Sequence, residues 1–116
     1  MAECNDQYCP DSGEDNIQLE FITPIGTTDN VVFQAGTDLF VEVYAKDDEV
    51  GIEKVKLYVN GEFVRSEYRA PYEWGKPHKD DDHRLNNLSA GVHEITAVAI
   101  NKDGVQRSET VSISVR

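Results

Sequence analysis

The sequence predicts an all-β chain in which two antiparallel sheets pack as a sandwich of about seven short strands. Three observations carry this. Apolar and polar residues alternate with period 2 in segment after segment, and no segment sustains a helical period. Gly, Asn and Asp recur as turn signals at intervals of about ten residues. The stretch Gly51 to Trp74 reads as a hairpin: Val55, Leu57 and Val59 alternate with Lys54, Lys56 and Tyr58, and Asn60-Gly61 follows at once. That dipeptide accepts the positive φ values of a two-residue type I′ turn, so Glu62 to Ser66 should return as the partner strand.

Residues 1–16 are acidic, lack apolar periodicity and contain Pro10, Ser12 and Gly13, which fits either an acidic linker or a disulfide-closed N-terminal cap. The β-sandwich is expected over 17–116. Its first strand begins at Ile17, where Ile17, Leu19 and Phe21 alternate with Gln18, Glu20 and Ile22, and stops at Pro24. Val31 to Gln34 reads as a short edge strand, and Ala35-Gly36 turns the chain into Thr37 to Lys46. There Leu39, Val41, Val43 and Ala45 share one face. The acidic turn Asp47 to Gly51 leads into the hairpin, after which Ala70-Pro71 interrupts the ladder because proline has no N–H to donate. Tyr72 and Trp74 then point to one side of a new extended segment. Gly75 to Asn87 is almost without apolar residues and reads as a long surface loop ending at Leu88. Val92 to Asn101, apolar on both faces, has the pattern of a central strand, and Val111, Ile113 and Val115 mark the last one.

A length of 116 residues suits one domain with a single hydrophobic core. Apolar runs fall far short of a membrane-spanning helix, so no membrane role is expected. No signal peptide is legible after Met1-Ala2, and the start is read as that of a domain separated from a larger precursor. The formal net charge of −11 is unevenly placed. Residues 1–53 hold 13 Asp/Glu and 1 Lys/Arg, a balance of −12, whereas residues 54–116 hold 9 and 10, a balance of +1. An acidic chain without a basic patch argues against nucleic acid as a partner, since phosphate binding needs cations that release counterions. The two cysteines, Cys4 and Cys9, are expected to form one disulfide closing a short loop. Their four-residue spacing fits neither a zinc site nor a dithiol redox motif.

Several motifs in order, namely Gly51-Ile52, Lys54 to Gly61, Ala70-Pro71-Tyr72, Ala90-Gly91-Val92 running on to Ala99, and Asp103-Gly104, resemble the bacterial Ig-like domain family over roughly 17–116. The resemblance implies an Ig-like sandwich of the kind appended to secreted polysaccharide-degrading enzymes, acting as a spacer or a carbohydrate-binding module. It also implies export to a secreted or cell-surface location and neighbouring domains in a larger enzyme. The chain departs from the family pattern in inserting a long polar segment, Lys76 to Arg84, before Leu85.

That insertion is where binding residues are sought, because rigid sandwiches carry function on their loops. Sugar binding needs a flat aromatic beside charged or forked hydrogen-bonding groups. Tyr68, Arg69 and Trp74 before the loop, with Lys76, His78, Lys79, His83 and Arg84 in it, make up the candidate ligand-binding set. Trp74 shares a face with Tyr72, and a lone Trp in an Ig-like sandwich is usually a core residue. From Arg65 to Arg84 there are five Lys/Arg and five Asp/Glu, a neutral island in an acidic chain. Asp80, Asp81 and Asp82 offer hard oxygens of the kind calcium takes, without the spaced pattern of an EF-hand. No cofactor is otherwise required. Catalysis is not expected, since there is no nucleophile elbow and no phosphate-cradling glycine loop. The sequence thus predicts a monomeric, non-catalytic module that targets a secreted enzyme to a polysaccharide, an algal galactan being one candidate. The alternative is a structural spacer or adhesin repeat without a glycan site.

Overall fold

The structure, a computed structural model, describes residues 16–24, 32–75 and 82–116. Seven strands form two antiparallel sheets: β1 (Ile17–Thr23), β2 (Val41–Asp47), β3 (Ile52–Val59), β4 (Glu62–Glu67), β5 (Tyr72–Trp74), β6 (Gly91–Asn101) and β7 (Gln106–Val115). One sheet has the order β1-β2-β5 and the other β4-β3-β6-β7. The all-β sandwich read from the alternation is the fold observed. Cys4, Cys9 and the expected linker or cap lie outside the described residues.

Alternation decides which side chains meet between the sheets. Val55, Leu57 and Val59 of β3 face Ile95, Ala97 and Ala99 of β6 in register, and all are buried. Val41 and Val43 of β2 bring the opposite layer, with Tyr72 and Trp74 of β5 paired to them. At roughly 25 cal/mol per Å² of apolar surface removed from water, this interlayer is the main stabilising term. Trp74 is 0% exposed, within the same core as these residues. Trp74 is therefore a core residue and is withdrawn from the ligand-binding set. Its one polar atom is satisfied, Nε1–H donating to the Arg65 carbonyl at 3.0 Å.

The hairpin forms as its turn residues require. Asn60 and Gly61 have φ of 52° and 81°, Val59 pairs with Glu62, and a bulge at Val64 shifts the register between Tyr58↔Phe63 and Leu57↔Arg65.

Three boundaries differ from expectation. The strand read from Thr37 begins only at Val41, because the backbone before it bonds elsewhere: Leu39 N–H donates to Leu85 O at 2.7 Å and Gly36 N–H to Leu88 O at 2.8 Å. Of the edge strand read over 31–34, Phe33 makes an isolated parallel bridge to Val115. The segment read as a surface loop up to Asn87 holds a 3₁₀ turn, His83–Leu85, whose Leu85 is wholly buried. Its single leucine follows polar residues at no regular spacing, so periodicity could not reveal it. Gly75, with φ of 85°, packs against the same region: a Cβ there would overlap the Leu39 carbonyl oxygen and touch the Leu85 side chain. Only glycine allows so close an approach of backbone at this φ.

Candidate functional site

At the hairpin end of the sandwich, turn residues and the 83–89 segment enclose an open polar groove of about 330 Å³. Asn60, Glu62, His83, Arg84, Asn87 and His93 supply much of its wall. Asn60 has two structural roles. Its left-handed backbone makes the turn, while its side chain ties the turn to β6: Oδ1 accepts from Glu94 N–H at 2.9 Å and Nδ2 lies 3.1 Å from His93 Nδ1. His93 Nε2 lies 2.7 Å from Ser89 O, so Nε2 carries the proton and Nδ1 accepts. Across the mouth Arg84 pairs with Glu62, both half-exposed or more. Such an ion pair in water contributes little stability and leaves both groups available to a ligand.

One residue along each strand from the groove stand Tyr58 and Phe63, directly opposite each other on the outer face. Their ring centroids are 5.6 Å apart at 60°, and Phe63 is 51% exposed. A large apolar ring held that far out of the core, touching Tyr58, offers a face for an apolar partner. Phe63 is not among the ligand-binding residues read from the sequence. The signal was present: a two-residue turn at Asn60-Gly61 sets Phe63 opposite Tyr58, and the inward parity of Val55, Leu57 and Val59 turns that pair to solvent.

The candidate residues read from the sequence do not form one cluster. Tyr68 and Arg69 are exposed just beyond β4, at the opposite end of that strand from Glu62. Six residues at about 3.3 Å each put roughly 20 Å between them and the groove. His83 and Arg84 are in the groove wall. Lys76, His78, Lys79, Asp80 and Asp81 lie outside the described residues.

Asp82 is removed as a calcium ligand, because its carboxylate is already engaged. It is 1% exposed, accepts Arg65 Nε at 2.8 Å and Nη2 at 3.0 Å, and accepts Gly75 N–H at 2.6 Å. Arg65 also donates to Glu67 at 2.8 Å and to the Glu73 carbonyl at 3.1 Å, which bolts edge strand β4 of one sheet to edge strand β5 of the other. The Asp82 hydrogen bonds, with Glu67 adding to them, raise the Arg65 pKa further above its ordinary value, so the guanidinium is a fixed cation. Among the described residues no three His, Cys, Asp or Glu side chains converge as a metal site.

This end of the molecule can stack an apolar ring face on Phe63 and Tyr58 on the outer side of the sheet, and hydrogen-bond hydroxyls in the groove at the strand ends, whose wall includes the inward-facing pair Val59 and Glu62. Residues 22–97, well over half of the chain, match the bacterial Ig domain family. The chain belongs to that family. The long isoforms of ulvan lyase from Alteromonas sp. and from Pseudoalteromonas sp. (strain PLSV) are each 40% identical to it over 76 residues, covering 56% of the chain. Ulvan lyase of Glaciecola sp. (strain KUL10) is 36% identical over 75 residues. The chain spans 8% of the length of the first two enzymes and 7% of the third. Among solved structures, the fibronectin(III)-like modules of Clostridium thermocellum CbhA superpose with a TM-score of 0.65 at 26% identity, covering 85% of this chain and 97% of that one. The bacterial Ig assignment and the fibronectin-like neighbour agree on a two-sheet antiparallel sandwich.

Proposed function

We propose that this bacterial Ig domain is a non-catalytic accessory module of a secreted polysaccharide-degrading enzyme and that it binds polysaccharide at its hairpin end. Ulvan is the first polymer to test, because the relatives are ulvan lyases. The observation that carries the reading is the exposed Phe63 ring, paired with Tyr58 on the outer face of the sheet, one residue along the strands from a polar groove at the hairpin end. A sugar ring presents an apolar face and a polar rim, and that pairing of surfaces complements both. Acting as a monomer joined to its neighbouring domains outside the cell, the module raises the enzyme's concentration at the polymer by tethering. The reading requires no cofactor.

A second reading, a spacer without a glycan site, is favoured by one observation: the lone tryptophan, the strongest stacking residue in the chain, is spent on the core. Affinity gel electrophoresis separates the two. The 116-residue chain is run through gels containing ulvan, galactans, alginate, chitin, cellulose or xylan, beside an inert protein of similar charge. Retardation by a polymer, reduced at least fivefold in Phe63→Ala with an unchanged melting temperature, supports the module. Free migration through every gel leaves the spacer.

A further inference from the structure

Outward of the core, the four-stranded sheet carries three successive cross-strand rows. The first is Phe63, Tyr58, Thr96 and Thr110; the second is Ser66, Lys56, Val98 and Ser108; the third is Lys54, Ile100 and Gln106, with Tyr68 standing beside Lys54. Opposite-face parity confirms the assignment, because Val55, Leu57 and Val59 between these positions are buried. In a chain of net charge −11, these rows hold two ammonium groups and no carboxylate. Carboxylates resume at the ends, with Glu53 in the bulge before Lys54 and Glu94 in the row beyond Tyr58.

Neither lysine is in an ion pair among the described residues. The Lys54 amino group stands 5.8 Å from the Tyr68 ring centroid, which holds it over the sheet. Tyr68 is 58% exposed, so the rows begin and end on an exposed aromatic, with the lysines between. From Lys54 to Tyr58 is about 13 Å of strand. That is room for an extended polymer to rest on Phe63 and Tyr58 at one end and Tyr68 at the other.

We infer that the binding surface continues from the hairpin end down this sheet face, and that Lys54 and Lys56 make it select a polysaccharide bearing sulfate or carboxylate groups over a neutral one. The inference rests on the polysaccharide-binding reading and adds the ligand's charge and path to it. Charge complementarity chooses the occupant. A neutral glycan gains only hydrogen bonds from the two ammonium groups, whereas an anionic one also meets a carboxylate-free cationic strip, and the acidic balance of the rest of the chain disfavours other registers. Lysine pairs with sulfate or carboxylate as a point charge, so the contact tolerates variation in where the anion lies along the chain.

The test uses the full chain, a sulfated galactan against the same galactan after chemical desulfation, and polygalacturonate against its methyl ester, all in affinity gels. The anionic member of each pair should retard the domain and its neutral counterpart much less. The double variant Lys54→Gln/Lys56→Gln should weaken anionic binding roughly threefold to tenfold without changing the melting temperature. Raising salt to about 0.5 M should do the same to the parent chain. Equal retardation by charged and neutral forms, with Phe63→Ala still weakening both, overturns the inference and leaves polysaccharide binding standing. Anionic retardation that the double lysine variant does not touch also overturns it, since the cations responsible would then lie elsewhere. No retardation by any polymer, ulvan included, removes the binding reading and this inference with it.

Discussion

At the residue scale, Asp82 and Arg65 show how a charged side chain can belong to the core. Asp82 stands after two other aspartates in a polar run, and nothing in that run separates it from them. Burial does, because its two oxygens receive three N–H donors and Arg65 spans the gap between the sheets. Removing one partner of such a pair costs far more than the pair itself contributes, since the group left behind is desolvated and unmatched. Asp82→Ala should therefore lower unfolding stability by about 2–3 kcal/mol, towards the low end for a buried pair because Arg65 keeps Glu67 and partial access to water. Urea denaturation checks it, and a shift under about 0.5 kcal/mol would mean that the clasp is not formed in solution. Trp74 gives the complementary lesson: its face was legible from Tyr72 two residues earlier, but the side of the sheet that this face met was not.

At the element scale, the β3–β4 hairpin was readable apart from its bulge at Val64, because turn chemistry and period-2 alternation are local and agree with each other. Its Asn60 nonetheless does something the dipeptide rule does not ask of it, bridging to Glu94 and His93 on β6. Two substitutions separate these roles. Asn60→Gly keeps the positive φ and loses the bridges, so it should cost about 1 kcal/mol. Asn60→Ala loses the bridges and strains the turn as well, and should cost about 1 kcal/mol more. Equal melting temperatures for the two variants would show that the turn geometry carries no stability of its own. The 83–88 segment was not legible as an element, because beyond its one 3₁₀ turn it is held by hydrogen bonds to residues 36–39, some fifty positions away.

At the scale of the molecule, the acid-rich first half has a built-in dependence on pH. Asp47 holds the β2–β3 turn, Oδ2 accepting from Asn101 Nδ2 at 3.0 Å and Oδ1 from the Glu49 and Val50 N–H groups at 2.9 and 3.1 Å. The Asn101 hydrogen bond first, then those of Val50 and Glu49, hold the carboxyl below its ordinary value of 3.8. A depressed folded pKa contributes stability that is present above the unfolded value and is lost as pH falls through the folded one. In Asp47→Asn, the new amide would face the Asn101 amide donor, whose oxygen is already committed to Asp103 and Val105 N–H. The variant should be less stable than the parent at neutral pH, with the gap closing as pH drops below about 4. A gap that stays constant down to pH 2.5 would show that Asp47 is not ionised in this role.

What the sequence determined by itself was everything governed by short-range regularity: the strands, their inward faces, the hairpin turn and the class of fold. Those follow from backbone sterics and from the repeat of side chains along a strand, which any stretch of chain expresses locally. What tertiary structure alone decided was partnership: that Trp74 is sealed in the core, that Asp82 is consumed by Arg65, and that Phe63, Tyr58 and the two lysines share one face while Tyr68 stands roughly 20 Å along β4 from the groove. Residues far apart in the chain meet only when the two sheets close, and closing removes some polar groups from water while leaving others at the surface to be used.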